Sequence, residues 1–209
     1  MSKITLEKRS AIITGASQGL GLEIAKEFIN KGANILICAR DKQRLKDAYN
    51  SLNKNLSNKN KILMVKCDVS NNEEVKNMIE LARSEFTKID ILVNNAGVYG
   101  PKGPFEENNL QEWKNSFDIN FYGSILPIRH LIKHFKTNNY GKVIQLSGGG
   151  ATSPLPNLSS YAASKAAVVR FIETISKEIE DYNIFLNSIA PGALDTRMLD
   201  EIIEAGPEL

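Results

Sequence analysis

The feature that most constrains this chain is an alternation. Short apolar, β-branched runs are each followed by a longer segment whose apolar residues recur at helical spacing. SAIIT (10–14), NILICA (34–39), KILMVKC (61–67), IDILVNNAG (89–97), GKVIQLS (141–147) and NIFLNSIA (183–190) read as six strands, the fourth with its exit loop. Helical segments are predicted at GLEIAKEFINKG, with a stop at Gly32, from about Asp41, over 72–86, 107–136 and 158–180, and about 195–204. In the third, Val75, Met78, Ile79 and Ala82 share one face. Strands this apolar, joined through helices, imply a parallel sheet covered on both sides. Right-handed crossovers make such a sheet doubly wound, in three layers. Its ligands belong at the carboxyl ends of the strands. The 209 residues suffice for one well-buried α/β domain, 1–209, and are short for two.

Composition excludes several function classes. A net charge of +2 gives no case for nucleic acid or an acidic membrane surface. No apolar run approaches the ~18 residues of a membrane helix. The start, MSKITLEKRS, has no apolar core of a secretory signal. Cys38 and Cys67 stand near strand ends and read as reduced, buried thiols, which fits a cytoplasmic location. NSLNKNLSNKNK (50–61) reads as a solvated helix end and loop.

The turn TGASQGLG (14–21) joins the first strand to the first helix. Gly15, Gly19 and Gly21 permit a tight turn, a close phosphate and close helix–strand packing. A helix N-terminus there offers free N–H groups to a pyrophosphate. Gly15, Ser17, Gln18, Gly19, Leu20 and Gly21 are therefore the candidate phosphate cradle. The spacing is G-x-x-x-G-x-G rather than G-x-G-x-x-G. The second strand ends at Ala39, and Arg40 follows where an NAD site presents an acid to the ribose 2′-OH. An arginine suits a 2′-phosphate, so NADP(H) is favoured, with NAD(H) as the alternative and Asp41 as a countersignal.

Together TGASQGLG, NNAG (94–97), YAASK (161–165) and PGALDT (191–196) resemble the short-chain dehydrogenase/reductase family, classical type, from about residue 8 onward. The resemblance implies a Rossmann-type domain that transfers hydride between a nicotinamide cofactor and a carbonyl/alcohol pair. It makes Tyr161 the proton donor in reduction, with Lys165 binding the nicotinamide ribose and lowering the tyrosine pKa. Asn120 matches a relay asparagine, Asp68 and Val69 bracket the adenine, and Asn95, Ala96 and Gly97 line the cofactor. Pro191, Gly192 and Thr196 match the segment at the nicotinamide amide. Independently, Tyr161 and Lys165 stand i, i+4 on one helical face. A nearby cation favours a phenolate, whose free pKa is about 10.

The family's polarising serine sits 13 residues before its tyrosine, which here is Gly148; Ser147 is 14 before. Ser147, re-aimed by the glycines that follow, is the first expectation for the role. A backbone N–H of the glycine run is the alternative. Ser159 and Ser160 are expected to cap the helix of Tyr161.

The resemblance also implies a further helix and strand after Leu209, so the chain is expected to be C-terminally short. That and the shifted serine leave a non-catalytic dinucleotide-binding sensor or scaffold, or an inactive fragment, as alternatives to an enzyme. His130 and His134 stand i, i+4 without a third ligand and read as a surface pair, so no metal site is expected. Trp113 and Phe117 read as packing, and the loop PKGPFEENN (101–109) as substrate-facing. The family's homodimer or homotetramer would pair the helices around 107–136 and 158–180.

Overall fold

A computed structural model describes residues 5–54, 60–192 and 194–206. Positions 55–59 of the polar stretch, and Ala193 of the PGALDT segment, lie outside the described residues. The strands are β1 (Ser10–Thr14), β2 (Asn34–Ala39), β3 (Ile62–Lys66), β4 (Ile91–Asn94), β5 (Gly141–Leu146) and β6 (Ile184–Ile189). The helices are α1 (Gly19–Asn30), α2 (Lys42–Asn53), α3 (Asn72–Glu85), α4 (Leu110–Phe117), α5 (Gly123–Asn138), α6 (Ser159–Glu178) and α7 (Arg197–Ile203). All strand pairs are parallel, in the order β3-β2-β1-β4-β5-β6. The winding reverses between β1 and β4, and a crevice opens there at the carboxyl ends.

Strand residues alternate between the two faces, so each strand feeds two cores. Ile12, Leu36, Leu92, Val143 and Leu186 pack with Val75 and Met78 of α3, Leu131 and Phe135 of α5 and Ile172 of α6. Ala11, Ile13, Ile35, Ile37 and Val93 pack against Ala25 and Ile29 of α1 and Leu45 and Leu52 of α2. Each fully buried large aliphatic contributes about 1.5–3 kcal/mol. Cys38 and Cys67 are free thiols inside the first core, and mutual hydrogen bonding with burial holds the Cys38 thiol well above the usual range.

The helical region expected over 107–136 consists of α4, a π-helical turn at Asp118–Tyr122 and α5. Asn120 sits in the π turn, its carboxamide engaged by the backbone of Val98. Such a tertiary bond leaves no trace in helical periodicity. Pro127 lies inside α5, where it has no N–H to give the carbonyl one turn back. His134 accepts the Ile89 N–H and His130 meets Asn72, so both histidines fasten α5 to its neighbours. No helix among the described residues is long and apolar enough to cross a membrane.

Candidate active site

The exits of β1 and β4 are laced together. Asn95 Nδ2 donates to the carbonyls of Thr14 (2.9 Å) and Gly15 (3.0 Å). Thr14 Oγ1 accepts the N–H groups of Asn95 and Ala96. Asn95 was expected to line the cofactor; its carboxamide is committed to bracing the glycine turn. Gly15 holds φ +64°, and a Cβ there would lie 2.7 Å from Ala96 Cα. Gly15→Ala is expected to cost roughly 2–4 kcal/mol, from a strained φ and a backbone clash. A urea midpoint and a dinucleotide titration check this; wild-type values for both would refute the reading. At Gly21 a Cβ would overlap Asn95 Nδ2 and the Gly15 carbonyl, so α1 starts pressed against the turn.

Helices α2, α3 and α4 are capped by Asp41, Asn71 and Asn109. Helix α1 has no side-chain cap, because Gln18 turns away from its first N–H groups. The Gln18 Oε1 instead accepts from Arg44 Nη1 at 3.3 Å, and Arg44 Nε pairs with Asp41 at 3.4 Å. Ser17, Gly19 and Leu20 complete the turn, and Thr196 stands opposite it, 3.5 Å from where a Gly19 Cβ would be. Arg40 is exposed, with no ion pair or hydrogen bond from its side chain among the described residues. It lines a cleft of about 240 Å³ with Val98, Gly100, Pro101, Ser116 and Ile119. Asp68, at the same edge, accepts from the N–H and hydroxyl of Ser70. The Val69 side chain packs in the core, where it would overlap a Cβ at Gly123, so only its backbone can face the crevice. An open depression of about 640 Å³ lies at the opposite sheet edge, around Arg9, Ser10, Asn34 and Lys88, and holds none of the candidate residues.

The catalytic candidates converge on Gly97. A Cβ at Gly97 would be 3.3 Å from Asn120 Oδ1 and 3.5 Å from Lys165 Nζ. Asn120 Oδ1 accepts the Val98 N–H, and its Nδ2 donates to the Val98 carbonyl and to Ser164 Oγ, each at 2.9 Å. Lys165 Nζ donates to the Leu146 carbonyl at 2.9 Å and lies 5.6 Å from the Tyr161 ring centroid. Tyr99, just past β4, packs on Tyr161 with ring centroids 4.8 Å apart. Burial pushes the Lys165 ammonium down to about 8. Burial, then the neighbouring Tyr99, pushes the Tyr161 hydroxyl up to about 12. The resemblance implies a lowered tyrosine pKa, whereas burial raises it in the chain alone. The phenol stays protonated at neutral pH, the form that donates.

Gly148 lies directly against the Tyr161 hydroxyl, and a Cβ there would overlap Tyr161 Oη. Gly149 faces open space. Ser147 is buried, and its Oγ has no hydrogen-bond partner. Ser159 and Ser160 do not cap α6, whose N-cap is Leu158. Ser159 Oγ accepts from Trp113 Nε1, and Ser160 Oγ donates to the Trp113 carbonyl while contacting Ser116 Oγ. They dock α4 onto α6, which puts Trp113 to a use its stacking on Phe117 did not suggest. Pro191 and Gly192 are exposed after β6, Gly192 at φ +79°. Sequence reasoning missed Arg44, Tyr99 and Ser164. Only Arg44 had a signal, a second cation four residues past Arg40.

The site thus combines a braced glycine turn at the switch point of a doubly wound parallel sheet with a Tyr–Lys–Asn cluster beside it. The sequence model of the short chain dehydrogenase family matches residues 9–206, and the chain belongs to that family. It is 35% identical to "11-beta-hydroxysteroid dehydrogenase-like 3" of Arabidopsis thaliana, over 91% of this chain and 60% of that protein. The chain thus spans less than two thirds of that relative's length. Among solved structures it resembles 3-ketoacyl-(acyl-carrier-protein) reductase from Brucella melitensis complexed with NADH: TM-score 0.87, 32% identity, 94% of this chain and 80% of that one. It also resembles a variant of actinorhodin polyketide ketoreductase with NADPH: TM-score 0.89, 25% identity, 94% and 75% covered.

Proposed function

We propose that this chain is an NADP(H)-dependent oxidoreductase that reduces a carbonyl, or oxidises the matching secondary alcohol, with Tyr161 as proton donor. The convergence of Tyr161, Lys165 and Asn120 at the carboxyl edge carries this reading. The residues present fit the cofactor: an uncapped α1 N-terminus, a turn where Gly15 and Gly21 leave no room for a Cβ, and Gly97, whose missing side chain leaves Asn120 and Lys165 facing the crevice. When bound, the nicotinamide supplies the hydride.

The chain's own residues handle the proton. A carbonyl oxygen placed over Tyr161 Oη would take its proton as the carbon gains hydride, so the C=O π bond is replaced by new C–H and O–H bonds and the C–O single bond remains. The Lys165 ammonium stabilises the tyrosinate left behind. Asn120 holds Val98 and Ser164, and Ser164 in turn donates to the Tyr161 carbonyl at 2.8 Å, which fixes α6 against the crevice. For the polarising donor, the sealed Ser147 hydroxyl and the contact of Gly148 with Tyr161 support the N–H groups of Gly148–Gly150. Exposed Leu110 and Tyr122 on the α4–α5 side support self-association through those helices.

Arg40, backed by Arg44 on Gln18, supports NADPH over NADH, since guanidinium groups suit a 2′-phosphate. The test is a fluorescence titration with both cofactors. Wild type is expected to favour NADPH, and Arg40→Ala to weaken NADPH by about 10-fold or more while sparing NADH. Equal weakening of both, or a wild-type preference for NADH, would refute the preference.

A further inference from the structure

Buried polar side chains almost always have partners. Among the described residues four buried side-chain atoms have none: Asn94 Oδ1, Gln145 Oε1, Ser147 Oγ and Ser188 Oγ. They lie in a row across neighbouring strands. Asn94 pairs in register with Gln145, and Gln145 with Ser188, across β4, β5 and β6. The period of two sets them on the sheet face of Leu92, Val143 and Leu186, which is covered by α5 and α6. Ser147 continues that row two residues past Gln145, its N–H still bonded to the Ile189 carbonyl. Asn94 and Gln145 are each 1% exposed, so bulk water does not reach them.

This layer is wired to the catalytic candidates. Gln145 Nε2 donates to the Leu146 carbonyl at 3.1 Å, the same oxygen that receives Lys165 Nζ at 2.9 Å. Asn94 Nδ2 donates to the Ser124 carbonyl, and Ser124 Oγ to that of Asn120.

We propose that Gln145 is a positioning residue for Lys165: its amide, buried in the sheet between Asn94 and Ser188, fixes the Leu146 carbonyl that orients the ammonium. The inference rests on the reading of Tyr161 and Lys165 as the working pair. It goes beyond that reading by making the sheet beneath them part of the apparatus. Lys165 has no carboxylate or second cation paired with it among the described residues. The titratable groups near it are Tyr161 on its own helix and Tyr99 stacked on Tyr161. The Leu146 carbonyl is therefore the contact that orients the buried ammonium.

The test follows the Lys165 Nζ titration by ¹⁵N NMR in wild type, Gln145→Met and Gln145→Glu, beside the pH profile of kcat. Gln145→Met removes the polar support, and the Lys165 midpoint is expected to fall by about one unit. Gln145→Glu keeps the shape and adds a negative charge, and the midpoint is expected to rise by about one unit or more. The alkaline limb of kcat should move the same way in each variant. A Gln145→Met protein that loses thermal stability but titrates as wild type would overturn the proposal, as would an unmoved Gln145→Glu should Gln145→Met not fold. Shifted Lys165 midpoints in a protein without turnover would leave this inference standing and remove the proposed activity instead.

Discussion

Tyr161→Phe is expected to lower carbonyl turnover by roughly 10²–10⁴-fold while NADPH affinity stays within about threefold. The ring keeps its packing on Tyr99, and only the hydroxyl facing Gly148 is lost. The fall should appear in kcat rather than KM, because the proton moves only in the transition state. Stopped-flow single turnovers with NADPH in excess separate that step from binding. Undiminished turnover would remove Tyr161 from the chemistry. Lost NADPH binding would show that the hydroxyl serves the cofactor instead.

Gly148→Ala should have the next largest effect. A Cβ at that position overlaps Tyr161 Oη, so the hydroxyl must move. Misplacing a reacting group by about 1 Å costs on the order of 10² in rate. Ser147→Ala should change turnover by less than about threefold, because its sealed hydroxyl does not reach the crevice. The pair of variants separates two sources of the polarising donor. An active Gly148→Ala with a dead Ser147→Ala would give the role to the Ser147 hydroxyl and take it from the glycine backbone.

The sheet was legible because its signal is local. Six apolar runs marked six strands to within a few residues, and the strand–helix alternation carried the parallel, doubly wound topology with it. The glycine turn was equally plain, since positive φ at Gly15 and close approach at Gly21 both demand the residue the sequence shows. What escaped was tertiary. The π turn at Asn120 exists because Val98 claims its carboxamide, and no periodicity records that. Ser159 and Ser160 carry the composition of a helix cap, yet Trp113 and Ser116 on α4 take their hydroxyls. The carboxamide of Asn95 is spent on bracing the glycine turn and the side chain of Val69 on the core, which the motif does not disclose. The burial that raises the Tyr161 pKa and lowers that of Lys165 is likewise invisible in the sequence.

The most direct test is NADPH consumption by this chain with a panel of aliphatic and aromatic aldehydes and ketones, with Tyr161→Phe as the control. Oxidation of NADPH by at least one carbonyl, lost in Tyr161→Phe, is the expected result. Tight NADPH binding with no oxidation across the panel would contradict an active Tyr161 and leave a dinucleotide-binding protein without this chemistry.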